Sequence, residues 1–386
     1  MRIMIIHRSF ALVGGAERVI IEKANYLCEH GHEVFLVSYE QGYHEVPYHL
    51  HESVAYRDLD CRFFTLSKYS PLLRLFYFFK LKSKLKASLK KEISDYSPSV
   101  VVLASDWQFL IKIVLEASQR IPVIAEFHNA YDFITKKIGD VENGIKAKIT
   151  RWYYCRSLKY FRKCARLVVL TENDAKRWRK HSDKVTVIPN PVSYYPEVTN
   201  DVPKVKGKIL CVGRYNGQKR IDRLITAFSM IAKKYPDWFV DIYGEGDLRD
   251  FLQNQIDSLG LTDRIILHNP VKTIFDEYKS SQMLVLSSEY EGRPLVLIEA
   301  MACGTPCVSF DCPSGPSEII EDGVTGLLAE NGNVNDLASK IEWLINHEKE
   351  REVMGVRSHE AAKIYKPLYV MKEWEKLYVG LPGYKS

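Results

Sequence analysis

The chain has 386 residues, 46% hydrophobic and 26% charged, with a formal net charge of +6. This is an ordinary composition for a soluble protein, too long for one average core and long enough for two α/β domains. No run approaches the roughly 20 apolar residues of a membrane-spanning helix, and the opening apolar run is too short for a signal peptide.

Met1-Arg-Ile-Met-Ile-Ile-His7 reads as a first strand, and Gly14-Gly15-Ala-Glu-Arg-Val-Ile20 opens a helix after it. Glycines at such a turn let backbone N–H groups approach an anion, which the helix N-terminus favours, although an ordinary strand–helix turn reads the same way. Asp58-Leu-Asp60 satisfies Asp-x-Asp, but no nucleotide element surrounds it, so it reads as a chance match.

Charge is uneven along the chain: residues 1–200 hold 31 Lys and Arg against 21 Asp and Glu, and the remainder 23 against 27. The excess gathers in Arg62–Lys91, with nine basic residues, no acidic one, and Phe63, Phe64, Tyr69, Phe76, Tyr77, Phe78 and Phe79 interleaved. Apolar residues recur at helical spacing at Leu81, Leu85 and Leu89, with lysines between. A basic amphipathic helix with aromatics is expected to lie on an anionic membrane surface, each Lys contributing about 1 kcal/mol. The other use of such a helix is to pack its apolar face on its own domain. No recognition module accompanies it, so nucleic acid is not an expected partner. Lys146–Arg166, with Trp152, Tyr153 and Tyr154, is a second basic aromatic stretch that extends this face or lines an acceptor site.

Ile124-Ala-Glu-Phe-His128-Asn129 reads as the end of a central strand, and Asn190–Lys208 as a linker. Ile209–Phe228 reads as strand, short loop and helix, with Arg214 at the strand end and Lys219 in the loop. Asp241-Ile-Tyr-Gly244-Glu-Gly246-Asp247 is a further strand and glycine turn; it lacks the third glycine of a dinucleotide fingerprint, which disfavours an oxidoreductase. Met283–Leu286 reads as a buried parallel strand followed by a turn at Gly292, with Pro294 in the first turn of a helix. Glu291 then lies in the turn and Glu299 in the helix. Open α/β sheets bind ligands at such strand ends, and a carboxylate accepting two hydrogen bonds suits vicinal hydroxyls. Tyr365–Tyr378, with Trp374, reads as a last amphipathic helix.

Eight cysteines are scattered, Cys28, Cys211 and Cys303 inside apparent elements, as expected for reduced thiols in a cytoplasmic protein. Cys303, Cys307 and Cys312 match no zinc spacing and have no His nearby, so they read as structural thiols.

The run from Ser287 to Pro306, carrying Glu291 and Glu299, resembles the Glu-x7-Glu signature of the retaining glycosyltransferases of family four, which have the GT-B fold. The glycine turn at Gly14, Leu170–Asp174, Val187–Val192, the Gly213-Arg214…Lys219 element, Asp241–Asp247, Gly315–Ile320 and Gly323–Leu327 resemble the family's elements in order. The resemblance implies an α/β protein of two doubly wound Rossmann-like domains facing a central cleft. Residues 1–195 would bind the acceptor and 205–365 the nucleotide sugar, with 366–386 a helix crossing back. It implies transfer of a hexose or N-acetylhexosamine, with retention, from a nucleotide sugar to a lipid-linked saccharide. Cys312–Glu318 resembles the version found in bacterial surface-polysaccharide enzymes that use UDP donors.

Bond breaking leaves a diphosphate anion. Arg214, Lys219 and the helix N-termini after Gly15 and near Pro294, each equivalent to about half a charge, would balance it without a metal or other cofactor. The implied catalytic set is Glu291, His128, Arg214 and Lys219. The implied donor-binding set is Gly14, Gly15, Arg214, Lys219, Gly244, Val271, Glu291, Gly292, Arg293, Pro294, Leu295 and Glu299. Glu299 would hold the ribose, Glu291 the sugar hydroxyls, and His128 would orient the sugar or polarise the diphosphate; the base would meet backbone around Tyr243–Gly246 and Asn269–Lys272. Asn129 stands where the family often has an acidic or aromatic residue, so no acid–base role passes to it. Arg293 stands where relatives often have an apolar one, which leaves the sugar open. The expected location is the cytoplasm, peripheral on the inner face of the membrane. The alternatives are a GT-B phosphorylase and a non-enzymatic membrane-associated partner protein.

Overall fold

The computed structural model describes residues 1–11, 14–105, 108–131, 155–156, 158–197, 202–271 and 273–381. They fall into two units, one of Met1–Pro189 together with the residues from Met371 on, the other of Asn190–Val370.

The first unit is built on β1 (Arg2–Ile6), β2 (Glu33–Ser38), β3 (Ala55–Asp58), β4 (Val100–Ala104), β5 (Val123–Glu126), β6 (Arg166–Val169) and β7 (Val185–Val187). All pairs are parallel, in the order β3-β2-β1-β4-β5-β6-β7. Uninterrupted apolar runs such as Ile3–Ile6 and Val100–Ala104 are buried throughout, as helices on both faces of a parallel sheet require. The helices are α1 (Gly15–Glu29), α2 (Pro71–Tyr96), α3 (Gln108–Ser118) and α4 (Glu172–Trp178). Thr171 caps α4, its hydroxyl accepting from the Asp174 N–H at 3.2 Å. Phe127, just past β5, stacks on Trp178 of α4 with ring centroids 4.3 Å apart, anchoring the strand end that leads to His128.

α2 corrects one expectation. Leu85 and Leu89 are fully buried, and Leu81 packs on the same core, so the spacing that suggested a lipid-facing stripe is the domain-facing one. The cause is that α2 packs against α3, which takes up this apolar face. A different set stays in solvent, at the start of the helix: Leu72 is 84% exposed and Phe76 63%, with Leu73, Leu75 and Phe79 also exposed. Of the second basic aromatic stretch, residues 146–154 and 157 lie outside the described residues.

Asp58 is a structural residue. Its Oδ1 accepts from the Ser38 hydroxyl at 2.7 Å and the Gln41 N–H at 3.1 Å, closing the loops after β2 and β3.

The second unit has β8 (Lys208–Val212), β9 (Phe239–Tyr243), β10 (Ile265–His268), β11 (Met283–Leu286), β12 (Cys307–Phe310) and β13 (Gly326–Ala329). They are again all parallel, in the order β10-β9-β8-β11-β12-β13. Around them lie α5 (Ile221–Ile231), α6 (Arg249–Ser258), α7 (Phe275–Ser280), α8 (Leu295–Ala302), α9 (Val334–Asn346) and α10 (Glu348–Ala362). α11 (Pro367–Val379) gives its residues from Met371 on to the first unit.

The described parts of the linker Asn190–Lys208 are tied to the second unit. The Val192 N–H donates to the Tyr365 carbonyl at 2.8 Å, and the Lys204 ammonium donates to the Ser281 carbonyl at 2.8 Å and the Thr305 hydroxyl at 3.0 Å. The eight cysteines are free thiols, with Cys211, Cys303, Cys307 and Cys312 buried.

Candidate active site

In each sheet the strand order reverses once, and ligand sites of open α/β sheets form at that crevice. In the second unit the reversal falls between β8 and β11, the two strands that precede Lys219 and Glu291.

The structure brings these two together. The Lys219 ammonium donates to Glu291 Oε1 at 2.7 Å, with the side chains only 15% and 8% exposed. Gly213 makes room for the lysine, since a Cβ there would lie 3.3 Å from its stem. Both loops are laced together: the Glu289 N–H donates to the Gln218 carbonyl at 2.8 Å, the Gln218 amide to the Tyr290 carbonyl at 3.0 Å, and the Ser287 hydroxyl to the Lys219 carbonyl at 3.1 Å. Arg223 adds an ion pair to Glu289 at 2.8 Å. The pair is therefore mounted on a fixed frame. Burial, reinforced by the Glu291 charge, pushes the Cys312 thiol up to about 12 despite the Lys219 ammonium, so this cysteine stays protonated beside the pair.

Glu299 is 3% exposed, which excludes a helix-surface charge, and its Oε2 accepts from the buried Tyr278 hydroxyl at 2.9 Å. Arg214, one residue past Gly213 at the end of β8, is exposed, and its guanidinium has no hydrogen bond or ion pair among the described residues. Pro294 stands one residue earlier than expected, as the cap of α8 with ψ of 106°, because its backbone is extended; Leu295 is the first helical residue. Gly292 and Pro294 are packed by the Gly315 turn, where φ is +118° and a Cβ would lie 2.8 Å from the proline ring. Only glycine fits there.

Arg293 is engaged by side chains of its own unit. Its Nη2 donates to the Tyr365 hydroxyl at 2.5 Å, Nη1 lies 3.9 Å from Glu318 Oε2, and the guanidinium sits 5.0 Å from the Tyr365 ring centroid. Gly244 answers to packing, since a Cβ would lie 2.0 Å from the Gly213 carbonyl. Val271 is 44% exposed, and Lys272 lies outside the described residues.

In the first unit the order reverses between β1 and β4. Gly14 caps α1 and precedes Gly15, but the space over it holds the chain's own carboxylate: a Cβ on Gly14 would lie 2.2 Å from Glu17 Oε2. His7 Nε2 is 3.6 Å from Glu17 Oε1. Burial raises the Glu17 pKa, but the His7 ring and the local backbone outweigh it and hold the carboxyl below its usual range.

His128 lies two residues past β5, its side chain 7% exposed, with Nε2 at 3.2 Å from Glu126 Oε1; both ring nitrogens are buried, and neither has a hydrogen bond among the described residues. Glu126 is 3% exposed, and its Oε2 accepts from the Lys23 ammonium of α1 at 2.5 Å. That ammonium lies 3.7 Å from the ring centroid of Trp374. Sequence reasoning missed Glu17, Lys23, Glu126 and Trp374. A signal existed for two of them: Lys23 interrupts the buried stripe Val19, Ile20, Ala24, Leu27, and Glu126 ends the buried run Val123–Ala125.

Residues 198–360 match the family "Glycosyl transferases group 1", and residues 13–194 match "Glycosyltransferase Family 4". The chain is 26% identical over 365 residues to an uncharacterized glycosyltransferase of Haemophilus influenzae, covering 94% of this chain and 95% of that protein. It is also 26% identical over 370 residues, 94% of each, to a Campylobacter jejuni protein, the GalNAc-alpha-(1->4)-GalNAc-alpha-(1->3)-diNAcBac-PP-undecaprenol alpha-1,4-N-acetyl-D-galactosaminyltransferase. Sucrose-phosphate synthase from Thermosynechococcus elongatus has the same fold, with a TM-score of 0.78 at 18% identity over 98% of each chain. So does Anabaena HepE, solved in complex with UDP, with a TM-score of 0.74 at 16% identity over 99% of this chain and 100% of that one. The chain belongs to the retaining glycosyltransferases of family four and has their GT-B fold; it is an enzyme that transfers a glycosyl group.

Proposed function

We propose that the protein moves a hexose or N-acetylhexosamine from a UDP-sugar to a hydroxyl of a lipid-linked saccharide, using fixed protein cations in place of a metal. The observation that carries this reading is the buried Lys219–Glu291 pair at the strand-order reversal of the second unit. The UDP bound to HepE supports the nucleotide, and the undecaprenol-linked substrate named for the Campylobacter relative supports the acceptor.

In this reading the second unit holds the donor and the first unit the acceptor. Lys219 and Arg214 take the diphosphate, Glu291 the sugar hydroxyls, and Glu299 the ribose. The backbone of Gly292, Pro294 and Leu295 faces the donor at the start of α8, and Gly244 and Val271 lie by the base. Gly14 and Gly15 serve the diphosphate only if the Glu17 carboxylate swings aside. His128 orients the sugar or polarises the diphosphate, and Arg293 shapes the sugar subsite through Tyr365 and Glu318. A thermal-shift series tests the nucleotide. At a hundredfold excess over Kd a ligand adds about 2.7 kcal/mol, so UDP and its sugar conjugates are expected to raise Tm by several degrees and GDP and ADP by less. Equal shifts for all three would remove the UDP assignment. Turnover independent of inorganic phosphate separates transfer from phosphorolysis.

Among the described residues no helix is long and apolar enough to cross a membrane. The exposed Leu72, Leu73, Leu75, Phe76 and Phe79 at the start of α2, with Lys80 beside them, support a peripheral contact with anionic lipid on the cytoplasmic side. Fully burying one such side chain contributes about 1.5–3 kcal/mol. Leu72→Ser/Phe76→Ser/Phe79→Ser is therefore expected to weaken binding to phosphatidylglycerol vesicles by about a hundredfold or more. Sedimentation with vesicles measures it, and unchanged binding would contradict the membrane role. Leu85→Ala should instead cost about 2–5 kcal/mol of stability, as a core truncation does.

A further inference from the structure

We infer that Lys23 and Glu126 form a buried positioning pair that fixes the imidazole of His128, and that Trp374 of the last helix closes this pair off from water. The inference rests on the reading of His128 as a group that meets the donor sugar.

Two charges buried side by side are a poor source of stability, because apolar side chains of similar volume usually do as well or better. Here they interrupt an apolar helix stripe and an apolar strand, at side-chain exposures of 1% and 3%. What the pair supplies is geometry. Lys23 holds Glu126 Oε2 at 2.5 Å, which stops the carboxylate from rotating and leaves Oε1 facing His128 Nε2 at 3.2 Å. The Oε1 charge 3.2 Å from Nε2 is a charge contact rather than a formed hydrogen bond; of the two neutral tautomers it favours the one with its hydrogen on Nε2, which makes Nδ1 the acceptor. Nδ1, like Nε2, is buried and has no hydrogen-bond partner among the described residues, and a buried acceptor left open in a site calls for a donor from the substrate. A sugar hydroxyl supplies one.

The Trp374 ring lies 3.7 Å from the Lys23 ammonium and is 3% exposed, so it covers the charge with a π face. Tyr378, one turn on, is 1% exposed. Both residues lie beyond the two stretches that match the glycosyltransferase families, which end at residue 360. The last helix thus takes part in shaping the first unit's site.

The test is imidazole ¹⁵N NMR on the full-length protein, with the His128 signals assigned through His128→Ala. The wild-type ring is expected to show one tautomer, protonated on Nε2. In Lys23→Met/Glu126→Leu, which keeps volume and removes both charges, Tm should stay within a few degrees of wild type while the ring moves to a tautomer mixture. Turnover of the UDP-sugar with the largest thermal shift should then fall about a hundredfold, the cost of a misplaced group, with UDP affinity unchanged. An Nδ1-protonated or averaged ring in the wild type overturns the inference without any variant. So does a double variant that keeps both the wild-type tautomer and turnover, since the pair is then only structural. Full turnover in His128→Ala would instead refute the role given to His128 itself, a separate outcome.

Discussion

Lys219→Ala is expected to lower UDP-sugar turnover by about two to three decades, or roughly 3–4 kcal/mol in the barrier. The bond that breaks leaves both electrons on the diphosphate, so a cation fixed beside it gains strength as the reaction proceeds. Lys219 is held in place by loops hydrogen-bonded to each other, and it needs little reorganisation when charge develops. The same substitution strands the Glu291 carboxylate, which is 8% exposed and loses its partner. That adds a ground-state cost, which Glu291→Gln on the Lys219→Ala background removes. The two changes are therefore expected to be non-additive, with the double variant losing less than the sum. Lys219→Arg, which keeps the charge, should retain more activity than alanine. UDP release measures the wild type, Lys219→Ala, Glu291→Gln, the double variant and Lys219→Arg; a loss below about threefold in Lys219→Ala would sit far under the effect of a group that stabilises the leaving anion.

Lys23→Ala is expected to destabilise the first unit by about 3–5 kcal/mol, the usual cost of leaving a buried charge unpaired. For a unit of this size that corresponds to a fall in Tm of about 10 °C. The loss depends on pH in a defined direction. Burial alone would raise the Glu126 pKa, but the Lys23 ammonium and then the His128 ring reverse this and hold it at about 2, below the ordinary carboxyl value of 4.5. A depressed folded-state pKa means stability fully present above about 4.5 and lost as pH falls toward 2. The gap between wild type and Lys23→Ala should therefore be widest near neutrality and narrow as pH falls from about 4.5 toward 2. Urea unfolding at several pH values reads it directly, and a constant gap would show that packing rather than charge holds Lys23.

The sheet framework was legible because buried parallel strands are continuous apolar runs. The apolar run Met283–Leu286 is the strand itself, and the spacing of Glu291 and Glu299 marks the family. The pairings were not legible, because they join residues far apart in sequence: 72 positions separate Lys219 from Glu291 and 103 separate Lys23 from Glu126. Which face of α2 meets solvent was equally hidden, since helical spacing marks an apolar stripe without saying what covers it. Leu85 and Leu89 meet the core, and Leu72 and Phe76 do not. Gly14 was ambiguous for a related reason. A glycine at a helix start suits any close approach, and here the approaching group is Glu17.

Calorimetric titration of UDP into wild type and into Arg214→Ala/Lys219→Ala, with and without EDTA, bears most directly on whether protein cations carry the diphosphate. The expected result is a wild-type affinity indifferent to EDTA and a double variant weaker by about a hundredfold or more, since hydrogen bonds to charged groups contribute about 1.5–3 kcal/mol each. UDP binding that vanishes with EDTA, or a double variant that binds as tightly as wild type, would contradict it.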